Sequence, residues 1–571
     1  MIMAKVGILM DQQEAERYWK YSVNVFGGYA AEILSYAGIP FDVLTDVHHS
    51  EYHQYDIVIA AHVANDDARL PELWDFMEKG GVLISYGGLQ GWAPRLGCTL
   101  TGHFGAGYAE MEDSNGEEAS PLRFLRAIPW LSAANKGLPV REVGSIHIDQ
   151  PTGKVIGPLK QIFTIGQGQF IRWSVDVLRT VVELQQGSAP ILADGIPAPD
   201  GSAPVNDGIL KADDRVELDW QWDRRTTETG APYFAIPYAD YWRNQIKQEL
   251  LELALTQGKT LPFVGFWPDG INGVVTISLD SDLNEDVHAE ATLALHAECG
   301  ISSTWCMLEP GYSKEIYDRI KEAGHELALH YNALAEADGE WSEAAFDRQF
   351  DWLTAAADLE RVTTNKNHYT RFEGWGELFE WCEKRGIRCD QTRGPSKRGN
   401  VGFLFGSSHP YVPMAQHDQQ NRLYNLMEIG FLTQDMDLLN SWSDSSIITP
   451  LLEQIRSVEG VAHFLFHPVH IHGHEAVRNA FRKLVKEADR QGFVFWTTEA
   501  IHRWNHARRQ IRITGMSEVL PYQVTVQGSA PQAVVWIPLP PGTPTDPEDR
   551  IEPLSGLRCR KLQVGELVAN V

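Results

Sequence analysis

The chain has 571 residues and a formal net charge of −27, too long for one ordinary core and suggesting about three or four domains. So acidic a balance argues against nucleic acid and against anionic membrane surfaces, both of which select basic patches. Six cysteines, none in a CxxC pair, exclude a zinc-finger or thiol-redox signature and read as reduced, buried thiols.

The opening MIMAKVGILMDQQ lacks the long apolar stretch and small-residue cleavage site of a signal peptide. No segment reaches the length of a membrane span. The expected location is the cytoplasm, which leaves soluble sugars and metabolites within reach and mature cell wall outside it.

Residues 4–10 read as a buried strand. Helical spacing from Phe26 to Ala37 stops at Gly38 and Pro40. FDVLTD and YDIVIAA read as strands, RLPELWDFMEKGG as a helix, and GVLISYGG as a further strand. Alternating strand and helix predicts a doubly wound parallel sheet over residues 1–95. From 96 to 250 the pattern becomes β-rich, with EVGSIHI, GKVIGPL and QIFTIGQGQFIRW. PILADGIPAPDGSAPVNDG (190–208) reads as a surface loop or linker.

Over 265–507 the strand–helix alternation returns, with candidate strands VVTISL, STWCML, HELALH, VTTNKN, IRCDQT, LMEIGF, AHFLFH and FVFWTT. Seven or eight βα units at this spacing suggest a barrel. Residues 508–571 alternate apolar and polar positions and read as a small β module.

Polar residues recur at the ends of these strands. Asp280 and Asp282 follow the first, His330 ends HELALH and His368 follows VTTNKN. Asp390 and Arg393 fall at and after IRCDQT, and His467 ends AHFLFH. In a barrel such positions converge on one mouth. Asp and His there are the residue types of a metal-assisted hydrolase: ligands for a divalent ion, a carboxylate to take a proton from water, and an imidazole to protonate a leaving group. Each residue alone has a plainer reading, since DxD caps many loops and a lone His is often a satisfied core residue. The ordered set carries the argument. Of His467, His470, His472 and His474, only His467 is read as functional. Trp375, Trp442 and Trp496 are read as core in preference to a sugar platform.

ISLDSDLNED resembles the first motif of the polysaccharide-deacetylase superfamily, the NodB-homology domains, usually TFDDG, with one residue inserted. AGHELALHYNAL resembles the second, CDQTRGP the fourth and FLFHPVHIH the fifth. The resemblance implies a distorted (β/α)7-type barrel, with Asp280 as general base, Asp282 and His330 as metal ligands, and His467 as catalytic acid. It further implies Asp390 orienting the machinery with Arg393 as its partner. The usual second His falls on Leu334, so His368 is nominated as third ligand. One divalent metal is implied, zinc before nickel or cobalt, with a small soluble carbohydrate or N-acyl compound as substrate. Two alternatives stand beside this: a sugar-binding or scaffold protein with a degenerate site, and a hydrolase of another non-peptide C–N amide bond. Residues 1–95 resemble a class I glutamine-amidotransferase-like fold whose turn SYGGLQGW lacks the nucleophilic Cys. That stretch is expected to be a scaffold, a binding module or a homo-oligomerisation unit.

Overall fold

A computed structural model describes all residues except 47–50, 65–69, 112–119, 133–138, 206–207, 336–338, 418, 440–442, 519–521 and 568–571. Trp442 thus lies outside the described residues. The molecule is an α/β protein organised by two large sheets.

The first sheet has nine strands. Asp42–Leu44, Val6–Met10, Ile57–His62, Val82–Tyr86 and Gly168–Trp173 run parallel. Val155–Ile165, Val140–Ile148, Gly107–Glu110 and Leu122–Phe124 then extend it antiparallel. The β-rich stretch after residue 95 therefore continues the N-terminal sheet and shares its core. The central strands are buried on both faces, which explains their unbroken apolar runs. The helix Tyr29–Ala37 ends where Gly38 takes a left-handed φ of 72°. A Cβ at Gly38 would meet the Val264 carbonyl oxygen at 2.4 Å, so close approach as well as φ selects glycine there.

The 19-residue helix Tyr238–Thr256 couples this sheet to the second. Its Glu249 accepts from Trp173 Nε1 at 2.8 Å and faces Lys160 at 3.1 Å. Its Asp240 accepts from Ser407 Oγ, Ser408 N and His409 N at 2.6, 2.6 and 3.1 Å. The 190–208 segment read as a linker and the residues just after it are stitched to the stretch that follows strand Thr364–Asn367, with Ile191 bridging Gly374 and Lys211 bridging Arg371.

The second sheet is all parallel, a half-barrel. Its order is Met427–Glu428, Cys389–Asp390, Thr364–Asn367, Glu326–Tyr331, Thr304–Met307, Val274–Asp280, Val461–Phe466 and Thr433–Gln434, with Val494–Phe495 also on Val274–Asp280. The first and last strands of that order are neighbours in sequence. Ile429 N bonds to Asp390 O on one edge, and Leu432 N bonds to His463 O on the other, at 2.9 Å each. One short run thus joins both edges. All strands point the same way, so their C-terminal ends share one mouth.

The C-terminal strands Val534–Pro538, Leu557–Gln563 and Ile551–Leu554 form an antiparallel sheet. It also takes in Phe263–Val264 from before the half-barrel. Among the described residues no helix is long and apolar enough to cross a membrane, and all six cysteines are unpaired.

Candidate metal and catalytic site

Strand Val274–Asp280 is buried throughout and ends on Asp280, after which the chain turns and presents Asp282. His330 lies near the end of Glu326–Tyr331, His368 directly follows Thr364–Asn367, and His467 directly follows Val461–Phe466. These five side chains meet around a cavity of about 330 Å³. His330 Nε2 lies 3.3 Å from Asp282 Oδ1 and 3.7 Å from Asp280 Oδ2. His368 Nε2 lies 3.7 Å from the same Asp282 oxygen. His467 Nε2 approaches the other Asp282 oxygen at 3.5 Å.

The far side of each ring fixes its role. His330 Nδ1 meets the Lys366 carbonyl at 2.9 Å. A carbonyl only accepts, so Nδ1 carries the proton and the Nε2 lone pair of the neutral ring faces the acids. His368 Nδ1 meets Asn332 Oδ1 at 3.3 Å in the same sense. Asp282 Oδ1 and His330 Nε2 are buried with no hydrogen-bond partner. Orphaned polar atoms at this depth call for a ligand. One carboxylate and two imidazoles, gathered within 4.8 Å, are a donor set that suits a divalent transition metal.

His467 is held differently. Its backbone N–H donates to Asp435 Oδ1 at 2.9 Å, and its Nδ1 bonds closely to Asp435 Oδ2. His470 Nδ1 reaches the same Oδ2 at 2.9 Å. Burial would lower the proton affinity of His467, but the Asp435 and Asp282 carboxylates outweigh it and push its pKa up to about 10. Asp435 moves the opposite way, to about 2: burial would raise it, and the two imidazoles outweigh burial. Burial likewise opposes ionisation of Asp282, yet His467, His330 and His368 hold its carboxyl well below the ordinary range. His368 is lowered to about 4, by burial first and then by His330. The site thus separates one imidazole that keeps its proton from one that gives it up.

Beneath Asp280 lies a cation. Lys366 Nζ is 3.3 Å from Asp280 Oδ1 and donates to Ser278 Oγ at 3.1 Å. Ser278 donates onward to His463 Nε2 at 2.9 Å, because His463 Nδ1 is committed to the Ile429 carbonyl at 2.8 Å. Burial, with Lys366 next, lowers His463 to about 3, consistent with this accepting role.

Asp390 and Arg393 stand apart. Both are buried, and neither lines the cavity. Asp390 accepts from Asn365 Nδ2, Thr392 N and Thr392 Oγ1 at 2.7, 3.0 and 2.9 Å. The Arg393 guanidinium packs over the Phe372 ring at 4.8 Å, and no ion pair joins it to Asp390 among the described residues. Trp375 lies against His417 and Trp496 against Trp267, both away from the cavity. Leu334 is buried.

Sequence reasoning missed Asp435, Lys366 and Asn332, and left His470 as a loop residue. A lysine inside a strand of the barrel was a usable signal, because a buried ammonium needs a carboxylate. Asp435 gave none: the strand before it, Thr433–Gln434, has two residues.

No known protein family matches the sequence, and no curated protein matches it. Solved structures similar to it include a Mycobacterium smegmatis protein provisionally classed as a polysaccharide deacetylase, with 17% identity, TM-score 0.32, 43% of this chain and 93% of that one. A peptidoglycan N-acetylglucosamine deacetylase has 14% identity and TM-score 0.27, covering 42% and 91%. A CE4-family pseudoenzyme from Bacillus anthracis has 10% identity and TM-score 0.25, covering 40% and 64%. At such values the activity has to be argued from the site itself.

Proposed function

We propose that this chain is a metal-dependent hydrolase that removes an acyl group, most simply acetyl, from a soluble carbohydrate. One observation carries the reading. The orphaned Asp282 Oδ1 and His330 Nε2, 3.3 Å apart with His368 beside them, are flanked by the Asp280 carboxylate and by His467, whose proton two carboxylates hold in place.

Asp282, His330 and His368 would hold the ion, zinc by this donor set, with nickel or cobalt as substitutes. When bound, the ion polarises the acyl carbonyl. Asp280, at the cavity wall, takes the proton from the attacking water. Lys366 supplies the counter-charge that anchors Asp280. His467 gives its proton to the departing nitrogen or oxygen, and Asp435 keeps the ring oriented and charged until then. The 330 Å³ cavity has room for a sugar unit.

The test is elemental analysis of the purified protein with acetate release from N-acetylated and O-acetylated sugars. About one equivalent of metal, lost in Asp282→Ala and His330→Ala together with acetate release, is the expected result. A wild type that takes up no added zinc, nickel or cobalt overturns the mechanism.

A further inference from the structure

The cavity has one cation that the proposed reaction does not use. Lys211 lies three residues beyond the 190–208 segment that reads as a linker, and it lines the same cavity as Asp280, Asp282, His330 and His467. It is 3% exposed. Its backbone is fixed: Lys211 N donates to Asp214 Oδ2 at 2.7 Å, and Lys211 bridges Arg371.

Its charge has no direct partner. Among the described residues no carboxylate pairs with Lys211 Nζ; its assigned contact is the face of Tyr369, 5.4 Å from the ring centre. The neighbouring Asp213 is already committed, accepting on Oδ2 from Lys397 Nζ at 2.9 Å, Ser396 Oγ at 2.7 Å and Asn400 Nδ2 at 2.6 Å. A buried ammonium without a contact partner is costly unless something else supplies the negative charge. Burial accordingly draws the Lys211 pKa down to about 8.

A second unpartnered group faces the same space. Thr370 Oγ1 is buried without a hydrogen-bond partner, and Thr370 lines the cavity. It is held there by two consecutive residues of positive φ, Tyr369 at 56° and Thr370 at 53°. Two side chains without L-residue comfort are kept in that conformation beside His368. An ammonium and a hydroxyl, both free to donate, form a receptor for a carboxylate.

We propose that Lys211 and Thr370 bind a carboxylate of the substrate, so that the preferred substrate is an acidic acylated sugar, of the N-acetyl-aminouronic-acid type, rather than a neutral one. The acyl bond in this proposal rests on the deacylase reading; the anion site does not. The group from outside the half-barrel thereby sets specificity, while the half-barrel supplies the reaction.

The probes are N-acetylglucosamine and N-acetylglucosaminuronic acid, which differ only by CH2OH against carboxylate. Calorimetry on the full zinc-loaded chain measures binding, and acetate release measures turnover. The acid is expected to bind about tenfold or more tighter than the neutral sugar, the scale of one charge-assisted hydrogen bond. Lys211→Met should bring the ratio to about one, while Lys211→Arg, which keeps the charge, retains part of it. An unchanged melting temperature in each variant establishes that it is folded. Equal binding of the two sugars by wild type, absence of acid binding, or a preference untouched in Lys211→Met overturns the anion site. Selective, Lys211-dependent binding of the acid without acetate release supports the anion site and sinks the deacylase reading instead.

Discussion

Asp435 grips His467 twice, through the backbone N–H at 2.9 Å and through the ring Nδ1. Each residue directly follows one of two adjacent parallel strands, Thr433–Gln434 and Val461–Phe466, whose register sets the two side by side. Such a pair fixes the imidazole tautomer and stabilises its charged form, as the Asp of a Ser-His-Asp triad does.

Asp435→Asn should therefore leave the cavity in place and remove the charge that keeps His467 protonated. We expect acetate release to fall by about 10² to 10⁴, the range for losing a positioned proton donor. The loss should appear in kcat with little change in KM, since Asp435 is fully buried behind His467. A variant with wild-type kcat would remove His467 from the reaction.

His368 can be separated from the other ligands in the same way. Its Nε2 stands 3.7 Å from Asp282 Oδ1. His368→Ala should weaken zinc retention by about 10- to 100-fold in competition with a chelator, and Asn332→Ala, which removes the acceptor behind the ring, by a smaller factor in that range. Zinc held equally well by His368→Ala would leave Asp282 and His330 to find their third donor elsewhere.

Why some of this was legible and some was not follows from where each residue sits. Asp280, Asp282, His330 and His467 punctuate long apolar strands, so a change from apolar to polar marks the strand end and the mouth together. Asp435 has no such strand before it, because the run from Met427 to Gln434 leaves one edge and crosses to the other within eight residues. The sequence reads its first half as a single strand, 426–431, and the second half disappears. Lys211 was hidden for another reason. It lies just beyond a stretch, 190–208, whose Gly, Pro and Asp look like solvated linker, and only the tertiary bridges at Ile191 and Lys211 press this part of the chain onto the half-barrel. In the N-terminal half, local patterning identified the parallel strands up to Val82–Tyr86 but passed over the short Gly107–Glu110 and Leu122–Phe124, and a change from parallel to antiparallel pairing looks like a domain change until the neighbours are known.

The joint between the two halves is also testable. Asp240 is fully buried and accepts three hydrogen bonds from residues 407–409. Asp240→Ala leaves those donors unmet, at about 1 kcal/mol or more for each. A loss of about 3 kcal/mol in urea unfolding is expected. A change under about 0.5 kcal/mol would mean that water replaces the carboxylate and that the helix is held by its apolar face alone.

Glu326 gives the pH dependence of stability. It begins strand Glu326–Tyr331, four residues before His330 and at the opposite end of the half-barrel from the mouth. Burial raises its pKa from 4.5 to about 7, against the opposing hydrogen bonds from Thr364 Oγ1, the Glu499 N–H and Thr304 Oγ1. An acid with a raised folded pKa binds more protons folded than unfolded between those two values. Its contribution is therefore fully present below about pH 4.5 and is lost as the pH rises to about 7. At 1.36 kcal/mol per pH unit the loss is about 3 kcal/mol. Chemical unfolding measured from pH 5 to pH 8 should show this decline superimposed on the other titrations. Glu326→Gln, which cannot ionise, should flatten it, so that the variant gains on wild type as the pH rises. A difference between the two proteins that stays constant across that range would show that Glu326 ionises in the fold as freely as in water.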